Sequence, residues 1–147
     1  MGLSGQPVKR GTMAHKHIIY MMLVDSAAAA GDAATILKYA PMLEELAVRD
    51  DHQPYLAVCH RAYGIAHMLA GELEEAEICL QLALKIFEDQ EALWQSARTM
   101  AALGELAKLR GQPAPSREMF RKAVEKFEAL QALPDVKRTK AQLEPIN

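Results

Sequence analysis

The side chains best suited to nucleophilic or metal chemistry in this 147-residue sequence are five histidines, two cysteines and four serines. His60 and His67 stand seven residues apart, two helical turns, so they share a face if the segment is helical. Cys59 and Cys79 are placed to face each other from neighbouring helices, but a zinc site wants four converging ligands. Both cysteines therefore read as small core residues with reduced thiols, and no metal site is assigned. Ser26, Ser96 and Ser116 lie on or beside helical patterns, without the strand-to-helix elbow that exposes a catalytic serine. The acidic runs Glu44-Glu45, Glu72 to Glu77 and Glu88 to Glu91 stand at helix ends and outer faces. Acid–base chemistry would need a cleft that raises one carboxyl's pKa, so these read as solvated surface. The glycines match neither phosphate-loop pattern, and no cofactor is implied. The chain is accordingly expected not to be an enzyme.

Those residues sit within a repeat. Gly31, Gly71 and Gly111 follow one another at intervals of 40, as do Gly64 and Gly104, Leu69 and Leu109, Ala83 and Ala123, and Phe87 and Phe127. The segment Ala97-Arg98-Thr99-Met100-Ala101-Ala102-Leu103 returns as Lys137-Arg138-Thr139-Lys140-Ala141-Gln142-Leu143. Each period holds two apolar patterns at spacings of three and four, the signature of one helix face. In the second period they are Leu56, Cys59, Tyr63 and Ala66, ended by Gly71, and then Leu73, Ala76, Leu80, Ala83 and Phe87. Pro113 to Ser116 open the last such helix, and Pro41 is expected to kink its helix or move the start to about Pro41. Gly64, Gly104, Ala83 and Ala123 fall where antiparallel helices must approach closely.

Composition agrees. Abundant Ala, Leu, Glu and Met against 5% aromatics and few β-branched residues lean all-α. A net charge of -2 predicts no grip on nucleic acid, and the basic cluster Lys137, Arg138 and Lys140 reads as a solvated helix face. The apolar run Ile18 to Val24 is too short for a membrane span, and Lys16 and His17 abut it against the pattern of a signal peptide. A cytoplasmic protein is expected.

The run Tyr63-Gly64-x-x-His67, Gly71, Ala76, Leu80, Ala83 resembles the tetratricopeptide repeat, as does Leu103-Gly104-x-x-Ala107, Gly111, Ser116, Phe120, Ala123. The resemblance spans residues 13 to 144, with departures. The period is 40 rather than about 34, so helices or connections are longer. His67 and Ala107 replace an aromatic, the closing proline is absent, and Val24 stands where the first repeat should have glycine. This long, degenerate type is similar to helical repeats toward the C-termini of bacterial signalling proteins such as ATPase-containing transcriptional regulators. The resemblance implies antiparallel helix pairs stacked as a short right-handed superhelix. Repeats are expected over about 13–52, 53–92 and 93–133, with a polar capping helix over 135–144 within a domain of 13–147, after a flexible leader of 1–12.

In that family the first helix of each repeat lines a concave groove for a partner polypeptide. Carried over, the groove takes Ile18, Met21, Met22 and Asp25 from the first repeat. Val58, Arg61, Ala62, Ile65 and Met68 come from the second, and Arg98, Ala101, Glu105 and Lys108 from the third. Such a stripe suits a segment of alternating acidic and apolar residues. The family's carboxylate-capturing clamp needs asparagine, and this chain's only one is Asn147. The resemblance thus implies a regulatory or scaffolding interaction module. A small-ligand or peptide-signal sensor of a bacterial regulator is the alternative, and a self-associating repeat, a homo-oligomer, the second.

Overall fold

The computed structural model describes residues 2–144, with side chains described from Lys16 onward. Seven helices and no strand occur among them: α1 (Gly2–Ala30), α2 (Ala33–Arg49), α3 (Gln53–Leu69), α4 (Leu73–Asp89), α5 (Leu93–Leu109), α6 (Pro113–Ala129) and α7 (Leu133–Ala141). Neighbours pack in series, and α3 also touches α1 and α5, so the odd-numbered helices form one layer and α2, α4 and α6 the other. This is an all-α helical repeat arrangement.

The 40-residue sequence period hides a 20-residue structural one. Helices α2 to α6 are each 17 residues long and begin 20 residues apart. The extra length over the resembled repeat therefore sits in helices rather than connections. The connection is two residues between α1 and α2 and three elsewhere, and each holds one left-handed residue: Gly31, Asp51, Gly71, Glu91, Gly111 and Gln131 all have positive φ. At Gly71 the N–H bonds back to Met68 O at 3.1 Å and that of Glu72 to His67 O at 2.9 Å. Those two bonds satisfy carbonyls a helix C-terminus would otherwise orphan. Glu72 is at once the last residue of this cap and the N-cap of α4. The same bond pair recurs at all six connections. Glycine marks only alternate ones because the return turns tolerate Asp51, Glu91 and Gln131.

Within each helix pair, size is exchanged across the crossing. A Cβ on Gly64 would lie 2.7 Å from Leu80 Cγ, and one on Gly104 would lie 2.9 Å from the Phe120 ring. Forty residues earlier the corresponding pair is Val24 and Ala40, both fully buried in one cluster. The valine that broke the sequence pattern is thus matched by a small partner. Ser116 secures the third pair by donating its hydroxyl to Gly104 O at 2.8 Å.

Three expectations change. α2 runs unbroken through Pro41. Pro41 has no N–H to give Leu37, but both residues are exposed, so solvent meets the carbonyl. The segment 2–12, expected as a leader, has helical backbone continuous with α1. The capping helix spans Leu133–Ala141 rather than 135–144, because the connection's 20-residue register places its start. No helix among the described residues is long and apolar enough to cross a membrane.

Two measurements probe these constraints. A methyl group added at Gly71 would meet only open space, so Gly71→Ala tests backbone conformation alone. It should cost about 1 kcal/mol in urea unfolding with m unchanged. Gly104→Val should cost about 1–3 kcal/mol through its clash with Phe120. Combining it with Phe120→Ala, which recreates the Val24–Ala40 pairing, should recover at least about 1 kcal/mol of that in a double-mutant cycle.

Candidate binding cleft

One carboxylate ties three helices together beneath the odd-numbered layer. Asp25 of α1 accepts from Arg61 Nη2 of α3 at 2.8 Å through Oδ1. It also accepts a two-pronged grip from Arg98 of α5, at 3.1 Å on Oδ1 and 3.0 Å on Oδ2. Arg61 Nη1 reaches Gln95 O and Thr99 Oγ1, each at 3.3 Å. Thr99 Oγ1 in turn donates to Gln95 O at 2.8 Å. The guanidiniums are also stacked on rings, Arg61 over Phe87 at 5.0 Å and Arg98 over Trp94 at 4.5 Å.

Burial and charge compete at this cluster. Burial opposes ionisation of Asp25, but the hydrogen bonds and charges of Arg98 and Arg61 outweigh it and hold the carboxyl below its ordinary value of 3.8. Desolvation, then the charge of Arg98, brings Arg61 down to about 10 against the pull of Asp25, so it stays charged at neutral pH.

Above the cluster lies an open cleft of about 520 Å³, running from the C-terminal end of α1 across α3 and α5 to α7. Ile65, Met68, Leu69, Ala101 and Ala102 give it an apolar wall, and Arg98, Glu105 and Arg138 give it charge. Six expected residues therefore meet there: Arg61, Ile65, Met68, Arg98, Ala101 and Glu105. Arg61, however, is only 2% exposed and holds the floor rather than presenting a charge to a partner. Asp25 is spent on the two arginines, and Met21 is half-buried against the core. Lys108 is exposed outside the lining, because it is one helical turn beyond Glu105 near the end of α5. Val58 and Ala62 are buried core.

Arg138 and Thr139 of α7 join the lining and were not anticipated. The signal was present: the repeated segment places Arg138 in the register of Arg98 and Thr139 in that of Thr99. Arg138 pairs with Asp135, whose other oxygen accepts Trp94 Nε1 at 3.0 Å.

The candidate chemical groups are dispersed. Cys59 is turned toward α2, its Sγ 3.7 Å from Ala40 O, and burial, with Glu44 nearby, pushes its thiol up to about 12. Burial likewise raises Tyr63, whose hydroxyl donates to Glu44 at 3.0 Å. Burial lowers His60, leaving it neutral at pH 7. His52 caps α3, its Nδ1 accepting from Tyr55 N at 3.2 Å. His67 of α3, Glu72 of the connection and Glu75 of α4 bring ligand atoms within 4.8 Å of one another, with His67 Nδ1 2.9 Å from Glu72 Oε1.

Removing the shared carboxylate leaves two cations facing each other, one of them buried. Asp25→Ala should cost about 3 kcal/mol of stability at pH 7. Because the folded carboxyl's pKa is lowered, its contribution is present above the unfolded value of about 3.9 and lost as pH falls through the folded value. Urea unfolding of wild type and variant should therefore converge as pH falls below the ordinary carboxylate range.

Neither a protein-family model nor a curated protein matches this chain.

Proposed function

We propose that the chain is a non-enzymatic interaction module of tetratricopeptide type. Its odd-numbered helices bind a partner polypeptide in the concave cleft, in a regulatory or scaffolding role within the cytoplasm. The observation that carries this reading is the cleft itself. It is open and apolar along α3 and α5, and its charges stand on a floor already fixed by the Asp25 cluster. A preorganised apolar trough with a few placed charges suits a helix or extended segment. Arg138, well exposed at the α7 side, favours a ligand with a carboxylate there, and Glu105 lies exposed further along.

Peptide selection against the immobilised full chain, followed by calorimetry, tests the reading. Selected peptides should combine apolar residues with Asp or Glu. Ala101→Arg, which fills the half-buried trough, should abolish binding. Arg138→Glu, at a well-exposed side chain, should weaken it about tenfold while leaving the circular dichroism spectrum unchanged. Peptides bound equally by wild type and Ala101→Arg would place recognition elsewhere.

A volume of this size also lies in the range of small-molecule sites. The sensor reading predicts a rise in melting temperature with a small molecule, lost in Ala101→Arg.

A further inference from the structure

The end of α3 and the start of α4 bring one histidine and two carboxylates together outside the cleft, whose lining includes none of the three. The connection between those helices positions them. Glu72 N–H bonds to His67 O at 2.9 Å, and the two side chains meet as well, Nδ1 of His67 lying 2.9 Å from Oε1 of Glu72. These residues are thus tied twice, through main chain and side chain. Glu72 is the N-cap of α4, yet its carboxylate makes no capping bond and turns back to the histidine. Glu75 is the third residue of α4, from which a glutamate can reach back to the N-cap N–H. That N–H is already given to His67 O, so Glu75 has no such bond to complete. Its carboxylate lies within 4.8 Å of the other two ligand atoms instead. Two carboxylates are therefore gathered on one imidazole without a balancing cation. Among the described residues no lysine or arginine pairs with Glu72 or Glu75, whereas Glu77 of the same helix pairs with Arg110 at 3.0 Å. The repeat frame does not require this arrangement, since in the next helix pair the same positions hold Ala107, Gln112 and Pro115.

We propose that His67, Glu72 and Glu75 form a zinc site joining α3 to α4, with water completing the coordination on the exposed side. One neutral imidazole and two carboxylates match the charge of a divalent cation. A tetrahedral zinc ion with bonds of about 2.0–2.2 Å sets its donors about 3.3 Å apart. The His67 and Glu72 atoms stand near that separation, and the exposed Glu75 side chain closes the remainder by rotation. The imidazole nitrogen favours zinc over magnesium or calcium, which take oxygen ligands, in strict octahedral geometry or in larger number. Cys79 follows Glu75 by one turn of α4, but its sulfur lies outside the converging group. A bound ion ties the last turn of α3 to the first turn of α4, so it stabilises the second helix pair by mass action.

Calorimetric titration of the full, tag-free chain with zinc chloride over roughly 0.1 to 100 µM, after stripping with a chelator, is the test. One zinc ion per chain should bind, and the melting temperature should rise with zinc and fall back when chelator is added. Magnesium and calcium at the same concentrations should do neither. His67→Ala and Glu72→Gln introduce the residues that the next helix pair carries in register, Ala107 and Gln112, so both should keep the helical spectrum. Each should weaken zinc binding at least about tenfold, as should Glu75→Gln, while Cys79→Ala binds as the wild type does. No zinc binding within the range overturns the proposal. So does zinc binding that His67→Ala leaves intact, zinc binding lost in Cys79→Ala, or magnesium bound as tightly as zinc.

Discussion

Successive helices among the described residues are joined by connections of only two or three residues, and that brevity governs the rest. One residue must leave the right-handed region, and the next must close one helix while opening another. With so few residues the chain has no freedom to adjust the angle or offset of the next helix. A fixed helix length of 17 residues then repeats the same geometry, so the same positions meet across each pair. The exchange of size between Gly64 and Leu80, Gly104 and Phe120, and Val24 and Ala40 follows from that fixed register. Where the backbone offset cannot vary, volume must be conserved by pairs of residues rather than by shifting helices.

The same rigidity explains why charge is tolerated inside. A buried arginine gains little unless every donor is met in good geometry. Arg61 meets Asp25, Gln95 O and Thr99 from elements whose relative positions the connections already set. The cluster therefore needs little additional ordering. It also gives the layer of odd helices a polar tie that the even layer lacks, and places a rigid base under the cleft.

Much of this was legible in the residues. The glycine interval, the helix faces and the close approach at Gly64 and Gly104 follow from local steric rules, which act through one or two residues. The 20-residue pitch was hidden because Asp51, Glu91 and Gln131 adopt a conformation that their residue types do not announce. Of the cleft, Ile65, Met68, Arg98 and Glu105 were named by carrying over the groove of the resembled repeat, not by periodicity alone. The same carry-over assigned Arg61 to the surface because a charged side chain on an inner face looks the same in sequence whether it meets water or a carboxylate. Arg61 and Asp25 are 36 residues apart, and only the packed structure shows that they share a bond. Arg138 was readable from the repeated segment but was obscured by its basic neighbours, Lys137 and Lys140.

α1 has two unlike sides. One side of it sends Asp25 into the cleft floor, and another carries Ile19, Met22 and Leu23 to the outside. A helix is stiff over the few residues that separate these positions, so it moves as a unit. Rotating α1 to accommodate something on its outer face would carry Asp25 away from Arg61 and Arg98, at the cost of an unpaired buried cation. The cluster thus sets an energetic limit on how far α1 can turn. Anything packed on that outer face would have to accept the pose of α1 that the cluster imposes. Conversely, a ligand that draws Arg98 away from Asp25 loosens the restraint on α1. Whatever shifts either Arg98 or α1 would therefore act on the same carboxylate.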